Sequence, residues 1–296
     1  MDARARAEAF VRWLRSFAEP ELRIAAVDAL FDQLDKRVRV EAAERSARAE
    51  RSDRRTDRPE VPALSGDDLD EDAVAAMLDA ICADAEQADG AAREAMLSIA
   101  LAFQGARGRA HASRLRSAAD RNARLSLARF LRGVPDGEDD PVPDAPERAR
   151  EPVDARGRTL TLGERKALAR KPDRAVLTRV LADPHPDVVR LLLDNPRLTE
   201  DDVVKLASKR PGRAEVLAEI ARSPRWYRRP RVRLTLALNP ATPPEIASMT
   251  VGLLARAELV LVASATHVPA AVRALCREHL ARRPPSPLAS GPTRLQ

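Results

Sequence analysis

The sequence predicts an all-α protein, with a helical N-terminal region joined through disordered linkers to a C-terminal array of short helical repeats. Three observations predict it. Apolar side chains recur at i, i+3, i+4 and i+7 over most of the chain, the spacing of a helix with one buried stripe. The 296 residues include only 11 Gly but 23 Pro, and aromatics make up 3%, which suits an aliphatic core of short helices with sharp stops. Finally, a helix-start signature recurs in the C-terminal half.

The elements follow in chain order. Residues 3–18 form an amphipathic helix whose stripe is Phe10, Val11, Trp13, Leu14 and Phe17. Pro20 suits the first turn of a second helix, because the N–H it lacks would have no partner there. Ile24, Val27, Leu30, Phe31, Leu34 and Val38 continue its period. These residues make 1–45 a helical hairpin. From 46 to 70 apolar side chains vanish and charges of both signs mix, the composition of a disordered linker. Residues 71–132 are a helical segment able to pack with 1–45. Asp70 to Asp72 cap its first helix, Val74, Met77, Leu78, Ile81 and Cys82 form the stripe, and Gly90 stops it. Residues 91–104 make the next helix, GARGR a turn, and 111–132 a third helix. Residues 133–158 are acidic and Pro-rich, an extended linker, and 285–296 are a disordered tail.

The boxes TLGE (161–164), TEDD (199–202) and TPPE (242–245) each pair a Thr with a carboxylate three residues later. In such a capping box each side chain satisfies the other residue's free backbone N–H. Other features recur between them. LARKPDRAVL (168–177) matches LASKRPGRAEVL (206–217), PDVVRLLLDNP (186–196) matches PRVRLTLALNP (230–240), and PAAVRALC (269–276) begins a further copy. Asn-Pro ends the helix in two copies, since Asn tolerates the left-handed conformation and Pro cannot continue a helix. Each unit holds about three short helices.

The stretches DPHPDVVRLLLDNPRLTEDDVVKLA and VRLTLALNPATPPEIA resemble leucine-rich repeat variant and HEAT-like repeats. The resemblance covers about 159–282 and implies an α-solenoid, here assigned to 159–284. It carries no function with it. Some members of the variant family have an iron–sulphur cluster on a cysteine-rich segment. This chain has only Cys82 and Cys276, so no cofactor is expected.

Charge is unevenly distributed. Residues 156–296 carry 26 basic against 13 acidic side chains, a balance of +13, while 136–155 carry −6. That suggests an anionic partner, or an acidic tether that folds back and masks the basic half. Only five of the 51 basic residues are Lys, however, and heavy Arg use also follows from a GC-rich genome. No charge-free apolar run is long enough to span a membrane, and the first twenty residues lack a signal's apolar core, so a cytoplasmic protein is expected.

No chemistry emerges. There is no Gly-rich phosphate motif, HExxH, CxxC or GxSxG. Cys276 and His279 supply two ligands where zinc needs four. The acidic clusters lie in predicted linkers or at a helix start. His185 and His267 occupy comparable turns and suit helix-end hydrogen bonds. No catalytic, metal or cofactor residue is therefore predicted, and the chain is read as not an enzyme.

The candidate surface is SPRWYRRPRVR (223–233), an expected four-residue insertion forming a loop between two copies. Arg222, Arg225, Arg228, Arg229, Arg231 and Arg233 crowd it, with Trp226 and Tyr227 between them and Lys205 and Lys209 on the preceding helix. Two readings stand. The aromatics stack on unpaired bases while the cations hold phosphates. Or Trp226 and Tyr227 cover a neighbouring helix end and the arginines face water. The first expectation for function is a protein-interaction scaffold with an unidentified protein partner. The second is a nucleic-acid-binding module built on 222–233.

Overall fold

The computed structural model describes residues 2–47, 70–134, 158–181, 183 and 185–283, with the side chains of 37–47 left out. These hold sixteen helices and no β-strand, so the protein is all-α. The chain divides into two compact units, Met1–Ala85 with Asp89–Glu138, and Asp139–Gln296 with Glu86–Ala88. The expected disordered segments, most of 46–70 and 133–158 and all of 285–296, lie outside the described residues.

In the N-terminal unit α1 (Ala3–Ser16) and α2 (Pro20–Ala47) pack with α4 (Gly90–Gln104), and α2 and α4 with α5 (Ala106–Arg121). The regions 1–45 and 71–132 thus share one core. Phe10, Leu14, Val27, Leu30, Phe31 and Leu34 are buried in it, while Trp13 stays half-buried against Phe17, its ring centroid 5.2 Å away. Each such burial contributes about 1.5–3 kcal/mol relative to exposure. α3 (Glu71–Glu86) carries Val74, Met77, Leu78, Ile81 and buried Cys82. Asp70 caps it, its Oδ1 accepting from Ala73 N at 2.7 Å.

Three boundaries differ from the sequence expectation. Ala88, at φ 70°, breaks the chain after α3, and Gly90 instead opens α4 behind the cap residue Asp89. GARGR is mostly the first turn of α5 rather than a turn between helices. Gly108 is needed there, because a Cβ would come within 2.1 Å of Ala102 O. The expected helix 111–132 breaks at Ala123, φ 52°, and α6 (Leu125–Phe130) restarts with Asp79 Oδ1 accepting from Ser126 N and Leu127 N at 2.9 Å each. A carboxylate on a distant helix decides that break.

The C-terminal unit is three successive helix groups. The first is α7 (Leu162–Arg170), α8 (Arg174–Val180) and α9 (Pro186–Leu193). The second is α10 (Glu200–Ser208), α11 (Ala214–Arg222), α12 (Pro224–Tyr227) and α13 (Pro230–Leu238). The third is α14 (Pro244–Leu253), α15 (Arg256–Ser264) and α16 (Ala270–Arg282). In each group the first helix packs on the last, α7 on α9, α10 on α13 and α14 on α16. The middle helix packs on the last helix of the group before, α11 on α9 and α15 on α13. One such seam buries Ala237 with Val251, Leu254, Leu259, Val262 and Cys276.

Two of the three expected capping boxes form. Thr161 Oγ1 accepts from Glu164 N at 3.3 Å and Glu164 accepts from Thr161 N at 2.8 Å. Thr199 and Asp202 do the same at 3.3 and 3.0 Å. The third does not. Thr242 turns its hydroxyl inward to donate to Leu236 O at 2.6 Å, and Pro243 takes the cap position.

The Asn-Pro ends also work otherwise than expected. Asn239 has extended backbone, φ −86° and ψ 119°, not left-handed. Its buried amide instead donates to Ala207 O at 2.7 Å and Lys209 O at 3.2 Å, and its Oδ1 accepts from Ala241 N at 3.0 Å. Asn195 repeats the arrangement with Ala169 O at 2.7 Å, Lys171 O at 3.0 Å and Arg197 N at 3.0 Å. Each amide thus ties the frayed carbonyls of its group's first helix to the end of its last. In the third group no asparagine is available. Arg283, reached by the longer α16, donates to the matching carbonyls, Gly252 O at 2.6 Å and Leu254 O.

Candidate functional site

The segment 222–233 is not a loop. Pro224 and Tyr227 bound the short helix α12, and Pro230 starts α13. Pro is accepted in a first turn in both places. The four-residue insertion adds a turn of helix seated on the end of α9. Trp226 is 3% exposed and donates Nε1–H to Leu193 O at 2.8 Å. Tyr227 is fully buried, its hydroxyl 2.9 Å from Thr250 Oγ1. Thr250 already donates to Ile246 O at 2.6 Å, so Tyr227 is the donor to Thr250. Burial pushes the phenol up to about 12, against the smaller pull of that hydrogen bond and of Arg233.

Most arginines of the segment are engaged with the protein itself. Arg222 pairs with Glu219 at 2.7 Å and Arg231 with Asp201 at 2.8 Å. Arg225 lies 4.4 Å over the Trp226 ring and donates to Asn195 O at 3.2 Å. Arg228 donates to Pro224 O at 2.9 Å. Arg233 bridges Tyr227 O and Arg228 O at 2.9 Å each, its guanidinium pulled below the ordinary value by burial. Arg229 and Lys205 are exposed and make no ion pair among the described residues, and Lys209 is exposed at the end of α10. Structure therefore brings Arg225, Trp226, Tyr227, Arg228 and Arg233 into one buttress. It leaves Lys205, Lys209 and Arg229 as outward cations, and the aromatic faces are closed to a stacking base.

Guanidinium-to-carbonyl bonding is general in this chain. Arg23 donates to Phe17 O at 2.8 Å, Arg210 to Leu238 O at 3.1 Å, and Arg256 to Leu280 O at 2.8 Å and Arg283 O at 2.7 Å. A cation at a helix C-terminus meets both orphan carbonyls and the negative dipole end. Many arginines of the basic half are positioned this way, a use that net charge alone does not reveal.

The remaining polar clusters were not visible in sequence. In the N-terminal unit His111, 1% exposed, stacks on Phe31 with centroids 5.1 Å apart and sets Nε2 3.3 Å from Asp35. Arg114 donates to His111 Nδ1 at 2.9 Å and to Asp35 at 3.2 Å. Burial first, and Arg114 second, hold the imidazole below its ordinary value. Burial would raise the Asp35 carboxyl, but His111 and Arg114 together bring it below the usual range. In the C-terminal unit Arg165 and Asp183 form a buried pair at 3.0 Å, and Arg174 reaches across to the Asp202 box with one contact of 2.8 Å. Arg174 and the Thr199 bonds outweigh burial and hold Asp202 well below the carboxylate range. His185 accepts from Asp187 N at 3.2 Å, the expected helix-end bond, whereas His267 is exposed. Cys82 and Cys276 are buried, and burial pushes the Cys276 thiol up to about 12.

Among the described residues no group of three or more His, Cys, Asp or Glu is placed to hold a metal ion. Nor is any helix among them long and apolar enough to cross a membrane. Compared with protein-family models, curated proteins and solved structures, the chain matches none.

Proposed function

We propose that this chain is a non-catalytic protein-interaction scaffold whose C-terminal groups stack as a short α-solenoid. The observation that supports it is the packing order. The middle helices α11 and α15 each rest on the last helix of the preceding group, so the array builds an extended surface from nearest-neighbour contacts. Its buried polar side chains mostly close helix ends. The partner is a protein that binds by shape and apolar contact. A second reading, nucleic-acid binding through Lys205, Lys209 and Arg229, rests on the exposed cations of the second group.

Salt separates the two. Phosphate contacts weaken steeply with salt because counterions are released on binding. Partner capture from nuclease-treated cell extract at about 0.1 M and about 0.5 M salt is the test, with labelled oligonucleotides titrated in parallel. A protein partner retained after nuclease and at high salt supports the scaffold. Oligonucleotide binding that collapses with salt and is lost in Lys205→Ala/Arg229→Ala, with no retained protein, overturns it in favour of the second reading.

A further inference from the structure

The outward face of α15 differs from its counterparts. The three middle helices share a register, set by the buried pairs Leu177 and Val180 in α8, Leu217 and Ile220 in α11, and Leu259 and Val262 in α15. Between the members of each pair α8 carries the exposed Thr178 and Arg179, and α11 the buried Ala218 and half-buried Glu219. In α15 the same two positions are Val260 and Leu261, exposed by 52% and 55%. The array does not need apolar residues there, since in α8, where both positions are likewise exposed, they are polar.

The stretch of chain that carries this face is uncharged. No charged side chain occurs from 259 to 272. Ser264, Thr266, His267, Pro269, Ala270 and Ala271 in that stretch are also exposed. The charges flanking the stretch are engaged with the chain itself, Arg273 donating to Val268 O at 3.1 Å. Arg256 holds Leu280 O and Arg283 O, and Glu258 accepts from Ala255 N at 2.7 Å. Two copies of a half carrying +13 repel over most of their surface, and this face is where they can meet without like charges.

The order of residues suits a two-fold. Ala257, Val260, Leu261 and Ser264 lie at i, i+3, i+4 and i+7, a single stripe with small residues at both ends and large apolar ones in the centre. Turned antiparallel on its own copy, the stripe sets Ala257 against Ser264 and brings Val260 and Leu261 together at the axis. A residue near a two-fold meets itself, so a charge there would repel its twin, and none is present.

We infer that α15 pairs antiparallel with α15 of a second copy of this chain, through Val260 and Leu261. The pairing goes beyond the scaffold reading and does not depend on it. The contact is small, so the dimer is reversible, and being apolar it persists in salt.

Sedimentation equilibrium of the full chain tests it, since the monomer mass is 32.4 kDa. The wild type is expected to shift toward twice that mass by about 100 µM, and Leu261→Glu to raise the dissociation constant at least about tenfold. Thr178→Glu, at the exposed α8 position that matches Val260, leaves association unchanged. In a second measurement Leu261→Cys cross-links to its copy on mild oxidation and Thr178→Cys does not, the native Cys82 and Cys276 being buried. Position 261 is exposed, so neither change at it threatens folding. A wild type monomeric throughout that range overturns the proposal. So does a dimer that Leu261→Glu leaves intact, which would place the contact elsewhere.

Discussion

Replacing Asn239 by Ala removes one side chain and strands three backbone groups. The amide that spans Ala207 O, Lys209 O and Ala241 N, at 2.7, 3.2 and 3.0 Å, disappears from a site only 3% exposed. Each lost hydrogen bond costs about 1 kcal/mol net, so the three together cost about 3 kcal/mol, within a range of about 2–4. Asn239→Asp should cost at least as much, since a carboxylate keeps the bond from Ala241 N but points a negative oxygen at two carbonyls. Gly212 provides an independent check. A Cβ there would lie 2.9 and 3.0 Å from the two amide heteroatoms and 3.0 Å from the Ala241 Cβ. Gly212→Ala therefore displaces the same amide, and its cost should shrink in the Asn239→Ala background. The assay is urea unfolding followed by Trp226 emission, with Trp13 replaced by Phe so that one tryptophan reports. Asn239→Ala within about 0.5 kcal/mol of wild type, or Asn239→Asp milder than Asn239→Ala, would refute the reasoning that this side chain closes the helix ends.

Three further outcomes are expected. The chain has one tyrosine, so absorbance at the phenolate band reports Tyr227 alone; no phenolate should form near the ordinary 10.0 while the protein is folded, because burial pushes the group up to about 12. Stability is then full below 10 and falls as pH rises through that window, and ionisation of the native protein near 10 would contradict the burial. Gly108→Ala forces a Cβ against Ala102 O and should destabilise the N-terminal unit by about 2–4 kcal/mol; Trp13 emission during unfolding, with Trp226 replaced by Phe, measures it. Asp202 is held below 3.8 by Arg174 and Thr199, so its contribution is complete above 3.8 and is lost as pH falls through the depressed folded value. Asp202→Asn should flatten the acid limb of a stability–pH profile, and an unchanged limb would show that the pair carries no net energy.

Periodicity and capping chemistry are local, and what rests on them is where sequence and structure agree. The stripe of α2, the helix starts at Thr161 and Thr199, the burial of Cys82 and Cys276 and the three-helix rhythm of the C-terminal half all depend on side chains within a few residues of one another. The break at Ala123 was not legible, because the carboxylate that stabilises it, Asp79, lies on another helix. Nor was the close approach at Gly108, which depends on how α4 and α5 meet.

The candidate site shows the same division. An arginine-rich run with a tryptophan and the only tyrosine reads equally well as a contact surface or as a plug, since composition does not say which way a side chain faces. The fold turns Trp226 and Tyr227 inward and spends Arg225, Arg228 and Arg233 on carbonyls, leaving Lys205, Lys209 and Arg229 outside. By itself the sequence determined most of the helices, two of the three capping boxes and the charge of each half, because these follow from neighbours along the chain. Tertiary structure alone decided which cations face outward, how Asn195, Asn239 and Arg283 close equivalent helix ends, and that α15 shows water an apolar face, because unpaired carbonyls and buried faces find their partners through space.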